Sequence, residues 1–553
     1  MKRLLLIISI VFITNVSFAQ LSVEGTPKTF IHKDLAMLLT SIVDVHQPDL
    51  SDVIDYDNNP ENLYKMRRFG VIVPLGIDFF EKADYAEVDK GKLWVLRVKS
   101  DNAQALTIYS DNFYLPEGGE LFVYSKDQSQ VIGAFTSLNN HESKSFATEL
   151  IYGDEMVIEY FQPNNVSEKP VLNLTEIGYA YRDCIYEPTK ASSEFGASGS
   201  CNVNVNCPEG NNYRKAQRGV VRIQIRMDQN YIGWCTGSLV NNTARDLAPY
   251  VLSAAHCIED ASPTYYNNYV FYFNYESPGC SSLTEPYRST LSGTSVKSKG
   301  LGSDFVLFLL NNNVPQSYNA YWNAWNVLNT ASPSGVAIHH PAGDIKKIST
   351  YTSTLLGSSY SGGSVATHWK AYWVQTVTNY GITEGGSSGC PIFNSSSQII
   401  GTLTGGYSSC NVPVSSKYDY FGKLSYSWSS NGSSSQYQLK PWLDPLNTGV
   451  MQFRGDDYTT YLTSINDVDQ RKESYSRIYP NPAKNDINII LTPQPNPVQI
   501  TIYDELSRLI LTQTIPSNTS EYSINAKSFN AGYYIVKFNS SDKSWTDKLI
   551  ISQ

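Results

Sequence analysis

All eight cysteines of this 553-residue chain fall between Cys184 and Cys410, so long flanks on either side carry no thiol. The start of the chain gives that distribution its meaning. Lys2-Arg3 precedes an apolar run from Leu4 to Val16, and Ser17-Phe18-Ala19 supplies the small residues of a signal-peptidase site, so residues 1–19 read as a signal peptide and the mature chain as starting at Gln20. Disulfides persist in exported proteins, and cysteines gathered in the middle of one predict a stapled central domain between unstapled neighbours. Eight cysteines allow about a hundred connectivities, and spacing alone chooses none of them.

At about 150 residues per domain, three or four domains are expected. The chain is 41% hydrophobic and 17% charged, with 39 tyrosines among repeated Gly, Asn, Ser and Thr, which favours β-structure over long helices. A net charge of −9, spread along the chain, argues against a nucleic-acid partner. No later segment holds an apolar run of about 18 residues, so no membrane span is expected.

Three separated residues carry the chemistry. Thr383-Glu-Gly-Gly-Ser-Ser388-Gly-Cys-Pro391 sets a serine among glycines, which offers an exposed hydroxyl and unencumbered backbone N–H groups. Val251-Leu-Ser-Ala-Ala-His256-Cys257 ends an apolar run on a histidine, and Ser303-Asp304 opens another, Phe305 to Leu310. Singly these read as a turn, a core histidine and a strand cap. Together, in the order His256, Asp304, Ser388, they resemble the acyl-transfer site of chymotrypsin-like proteases.

The resemblance narrows further. Ser198-Gly-Ser-Cys201, Cys235-Thr-Gly-Ser-Leu-Val-Asn-Asn-Thr, Ser303-Asp304-Phe305, Ile338-His-His-Pro341, Leu403-Thr-Gly-Gly-Tyr-Ser-Ser-Cys410 and Trp442-Leu-Asp-Pro-Leu-Asn-Thr-Gly449 are similar to motifs of the bacterial lysyl endopeptidase family. That resemblance implies an all-β architecture with a chymotrypsin-like double β-barrel over residues 191–454, and an oxyanion hole from the N–H groups of Gly386 and Ser388. It also implies the disulfides Cys201 to Cys410, Cys207 to Cys280 and Cys235 to Cys257. No cofactor and no metal are implied, and His339-His340 is expected to be structural because no third ligand accompanies the pair.

The pocket departs from trypsin. Where trypsin keeps its carboxylate stands Ile382, and where it keeps the Asp that receives a new N-terminus stands Ser387. The family resemblance moves the pocket carboxylate to Asp419, in Ser415-Ser-Lys-Tyr-Asp-Tyr-Phe-Gly422, with Thr404 in place of a family histidine and Tyr360 in place of a tryptophan. A serine endopeptidase cutting after lysine is expected, with arginine or broad specificity, or an inactive adhesive fold, as alternatives. Pro188-Thr189-Lys190-Ala191 suits self-cleavage between Lys190 and Ala191.

The flanks read as β-rich. Residues 20–190 have a helical beginning near Asp34 to Val45, then alternating strands at Leu93, Leu106, Glu120 and Glu155, and are expected to be a pro-domain. An independent binding domain is the competing reading. Residues 455–477 are polar and aperiodic, as in a linker. Residues 478–553, with Tyr479-Pro-Asn-Pro482, Gly532-Tyr-Tyr-Ile-Val and Lys548-Leu-Ile-Ile, have the short alternating strands of a β-sandwich and resemble the sorting domain of type IX secretion substrates. Passage across an outer membrane by that machinery, to the medium or the cell surface, is the implied route. Polypeptides are the expected substrates and a monomer the expected state. Cys184 and Cys390, outside the implied pairs, are expected to bond to each other and tether the pro-segment near the cleft, the alternative being that Cys390 is a buried free thiol acting as a small hydrophobe.

Overall fold

The computed structural model describes residues 25–32, 35, 40–59, 66–182, 184, 198–281, 289–360, 362–460, 476–481, 483–504, 508–541 and 544–552. The leader, the Lys190-Ala191 junction and most of the 455–477 linker lie outside the described residues. The chain divides into two units, Met1–Tyr458 and Thr459–Gln553.

In the first unit the middle of the chain forms two antiparallel sheets. One runs Ser289–Ser292, Val270–Phe273, Val220–Arg226, Tyr231–Leu239, Tyr250–Ser253, Phe305–Leu310, Thr294–Gly300 in hydrogen-bonded order. The other runs Lys347–Tyr351, Gly335–His339, Pro391–Asn394, Gln398–Gly406, Tyr418–Lys423, His368–Tyr372. Val220–Arg226 and Gly335–His339 are both buried along their whole length, but only the second reads as a continuous apolar run; in the first, buried Arg222, Gln224 and Arg226 alternate with Val221, Ile223 and Ile225. Between the sheets, Leu252, Phe305 and Leu307 share one core with Ile338, Ile348, Phe393 and Trp325. Two β-barrels meeting at a common interior result, the double barrel expected from the sequence.

The preceding residues form a β-rich body of their own. Ile42–Asp44, Gly91–Lys99, Glu155–Pro163, Glu120–Ser125 and Val131–Phe135 make one sheet. Arg67–Asp78, Val171–Ala180 and Ala105–Ser110 make a second, which continues into the first barrel: Arg67–Asp78 pairs with Tyr231–Leu239 with Tyr231 opposite Val71, so one sheet of 13 strands crosses both bodies. Phe69 stacks on Trp234 at 4.1 Å, and Arg226 reaches across to Glu176 at 2.9 Å. The helix expected over Asp34 to Val45 is corrected at its end: Ile42–Asp44 is a strand, parallel to Arg97–Lys99. Its β-branched Ile42 and Val43 find a sheet edge to complete, and that tertiary pairing overrides a weak helical pattern. The described α-helices on either side of that span are Lys28–Ile31 and Ser51–Asn58.

Cys201 is bonded to Cys410, Cys207 to Cys280 and Cys235 to Cys257. The expected Cys184 to Cys390 bond is a correction. Neither residue is in a disulfide. Cys184 packs with Phe69, Trp234 and Tyr272 where the bodies share a core, whereas Cys390 lies among Trp369, Ile382 and Phe421 inside the second barrel. Each thiol serves as a small apolar side chain in a separate cluster.

The second unit is a sandwich. Ser476–Tyr479, Asp486–Leu491 and Glu521–Asn525 form one sheet, and Leu509–Ile515, Val498–Asp504, Gly532–Asn539 and Ser544–Ile551 the other. Alternate residues Ile487, Ile489, Ile500, Ile502, Val536 and Phe538 fill the space between them.

Candidate active site

His256 and Asp304 are brought together by adjacent strands of the first barrel. His256 follows Tyr250–Ser253, Asp304 precedes Phe305–Leu310, and those strands pair. The Asp304 carboxylate accepts the His256 backbone N–H at 2.9 Å through Oδ1, and Oδ2 lies 2.7 Å from Nδ1. Asp304 has a φ of 51°, a left-handed conformation that Asp tolerates better than most residues. The turn before it is held by the second barrel: Ser303 Oγ is 2.9 Å from Ser427 Oγ, and its carbonyl comes so close to Gly422 that a Cβ there would stand 1.7 Å away. Burial works to lower the His256 pKa, but the charge and hydrogen bond of Asp304 outweigh it, with Glu259 adding, and raise it above the ordinary histidine value.

The disulfide Cys235–Cys257 binds this histidine segment to the strand that holds the Ser388 loop. Thr236 donates from its N–H to the Ser388 carbonyl at 2.8 Å and from its hydroxyl to the Gly386 carbonyl at 2.9 Å. The Ala342 N–H donates to the Gly385 carbonyl. With these carbonyls pinned outward, the N–H groups of Gly386 and Ser388 donate to no acceptor among the described residues. Gly386 has a φ of 95°, and a Cβ on it would sit 2.8 Å from the Gly343 nitrogen, so the loop needs glycine there on both counts. Among the described residues Nε2 of His256 is buried with no hydrogen-bond partner, and no hydrogen bond links it to Ser388. Such bonds often close only with substrate in place.

A cavity of about 340 Å³ lies beside Ser388, lined also by Thr383, Leu403, Ser408 and Asp419. Asp419 is buried, and its Oδ2 accepts from Trp373 Nε1 at 2.5 Å, Thr383 Oγ1 at 2.7 Å and Ser408 Oγ at 2.5 Å, while Oδ1 accepts the Ser408 N–H at 3.2 Å. Burial pushes its pKa up against those four bonds. Ile382 is buried in the second barrel and does not line that cavity. A second cavity of about 530 Å³ is lined by His256, Asp304, Tyr360, Thr404 and His368. There His368 Nε2 lies 3.1 Å from Thr404 Oγ1, and its ring is 5.9 Å from that of Tyr360. Burial holds the His368 pKa down at about 4, against the pull of Asp304.

Several of these residues were not singled out from the sequence. Thr383, Ser408 and Trp373, which hold Asp419, stood inside or near quoted motifs, but nothing local marks them as its partners. The same is true of Tyr56 and Met66 from the N-terminal body, which line both cavities. Their segment is moored by Arg68, stacked on the Tyr56 and Tyr231 rings at 3.6 and 4.1 Å, and by Asp57, which accepts from Tyr181 at 2.6 Å and pairs with Arg182 at 2.9 Å.

Paired barrels with a half-buried His–Asp couple and a glycine loop between them define the chymotrypsin-like architectural class. Within it, residues 195–422 match the family described as Lysyl endopeptidase, C-terminal domain, and residues 477–552 match the Secretion system C-terminal sorting domain. A lysyl endopeptidase of Pseudomonas aeruginosa is 28% identical over 297 residues, 51% of this chain and 62% of that protein, so the chain spans about three fifths of this relative. Among solved structures, the active form of the Rv3671c protease from M. tuberculosis aligns at 14% identity with a TM-score of 0.26, over 43% of this chain and 89% of that one. An HL collagenase structure aligns at 16% with a TM-score of 0.28, over 38% and 90%. The middle of the chain is thus similar to lysyl endopeptidases, and its end carries the sorting domain of an exported protein. Among the described residues no helix is long and apolar enough to cross a membrane.

Proposed function

We propose that the chain is the precursor of a serine endopeptidase that hydrolyses peptide bonds after lysine. The observation that carries this reading is the loop beside Ser388, whose Gly386 and Ser388 N–H groups have no acceptor among the described residues while the neighbouring carbonyls are tied back. Two unspent donors on one loop suit a developing oxyanion, where each is worth roughly 3 to 4 kcal/mol of transition-state stabilisation.

In this reading Ser388 Oγ attacks the carbonyl carbon and passes its proton to His256 Nε2. Asp304 keeps Nδ1 protonated and stabilises the imidazolium that forms. Collapse of the tetrahedral intermediate expels the amine, which takes the proton from His256, and water then hydrolyses the acyl-enzyme by the same route. Asp419 supplies the pocket charge. Three donors already occupy its Oδ2, so a cationic side chain meets the carboxylate chiefly at Oδ1. A point charge such as ammonium suits that single acceptor better than a fork-shaped guanidinium.

Residues 20–190 act as the pro-domain, 191–454 as the protease, 455–477 as linker and 478–553 as the sorting domain used by type IX secretion. Tyr56 and Met66, which line both cavities, support a cleft covered until the junction at Lys190 is cut. Mapping cleavage sites in a denatured protein mixture tests the reading: new C-termini at lysine are expected, and cleavage shared equally with arginine, or none, contradicts it.

A further inference from the structure

The residue before the proposed nucleophile is a hydroxyl, not a carboxylate, and its hydroxyl is not idle. Ser387 is fully buried, and its Oγ accepts the Glu384 N–H at 3.2 Å and lies 2.8 Å from His339 Nδ1. On the far side of the same ring, Nε2 is 2.9 Å from Ser349 Oγ. His339 ends the strand Gly335–His339 and Ser349 lies on its neighbour Lys347–Tyr351, both buried. The imidazole therefore bridges a rigid sheet and the tip of a glycine loop. A neutral ring satisfies both hydroxyls in either tautomer, donating to one and accepting from the other. Burial and the nearby Lys347 charge keep it neutral, with its pKa held down at about 3.

We infer that His339 is the positioning residue of the oxyanion loop, a strut through Ser387 that fixes the Gly386 and Ser388 N–H groups without help from the N-terminus created by processing. Adjacent contacts act in the same direction. Ala342 and Gly343 turn directly after His339-His340, and there the Ala342 N–H holds the Gly385 carbonyl. The loop's other end is tied by Glu384, whose carboxylate accepts the Gly199 N–H at 3.1 Å and Asn202 Nδ2 at 3.2 Å. What the strut adds is control of the peptide between the two proposed donors, because Ser387 lies between Gly386 and Ser388.

The inference rests on the proposed acyl transfer, and its test separates the two. On processed enzyme, Ser387→Ala removes one end of the strut by deleting a single atom and keeps the fold testable even where His339→Ala does not fold. Both variants are expected to lose kcat about 10²-fold with KM changed less than about twofold, since a small misplacement of catalytic donors acts on the transition state. Affinity for a peptide aldehyde, whose adduct places an oxyanion in the hole, should fall in parallel with kcat, while binding of a simple alkylamine in the Asp419 pocket stays unchanged. The double variant should be no worse than either single one. Acetylating the new N-terminus should leave kcat unaltered. A Ser387→Ala enzyme with unchanged kcat, losses that multiply in the double variant, or a collapse on acetylation would overturn the strut. A wild-type processed protein that hydrolyses no peptide would instead defeat the proposed function itself.

Discussion

Asp419 shows how much a single buried side chain can decide. Its carboxylate is built into the second barrel by Trp373, Thr383 and Ser408, so Asp419→Asn keeps most of the packing while deleting the charge. Lysine substrates should then lose about 10²- to 10³-fold in kcat/KM, the scale of leaving a desolvated cation without its partner, while substrates with uncharged P1 residues change little. Steady-state kinetics on matched peptides reads this directly. His256 gives a second expectation, in pH. Nε2 must be unprotonated to accept the Ser388 proton, and Asp304 raises the ring's pKa, so kcat/KM should climb with pH through a midpoint above about 6.5. Asp304→Asn removes the raising charge, so its midpoint should move to lower pH along with a rate loss of about 10⁴-fold. At this scale the sequence was informative where a motif is local. The glycine loop, the histidine after its apolar run and the Asp before its strand were all legible. Residues that act only by meeting in space were not: Ser408 joins Asp419 across a strand pair, and His339, at the end of a strand, meets Ser387 in a distant loop.

At the scale of elements, the Cys235–Cys257 bridge joins the strand pinning the Ser388 loop to the segment bearing His256. It closes a loop with a sequence separation of 22 residues, for which chain entropy gives about 3 kcal/mol. Replacing both cysteines by serine should lower the unfolding free energy by about that amount in denaturant titrations, and should depress kcat more than removal of Cys207–Cys280, which ties neither the His256 segment nor the strand pinning the Ser388 loop. Strand content was legible because period-2 alternation and β-branched clusters are local properties. Ile42–Asp44 was misread as helix because its pairing with Arg97–Lys99 is made by a partner distant in sequence. The continuation of Arg67–Asp78 onto Tyr231–Leu239 escaped for the same reason: an edge strand's partner is a tertiary fact.

At the scale of the molecule, the N-terminal body is joined to the first barrel through a common sheet and a common core, with Phe69 stacked on Trp234. In the proposed pro-domain reading, this junction holds the body that brings Tyr56 and Met66 to the lining of both cavities. Phe69→Ala, which should cost about 3 to 5 kcal/mol at that junction, is expected to speed the precursor's conversion to processed enzyme, followed as band conversion over time. The central claim is that Ser388 is made nucleophilic by His256 beside a ready oxyanion hole. Its most direct test is a fluorophosphonate probe applied to processed protein, with the modified peptide located by mass spectrometry. One adduct is expected, on Ser388, and it should disappear in His256→Ala. An unlabelled protein, or a label on another residue that persists in that variant, would contradict the claim.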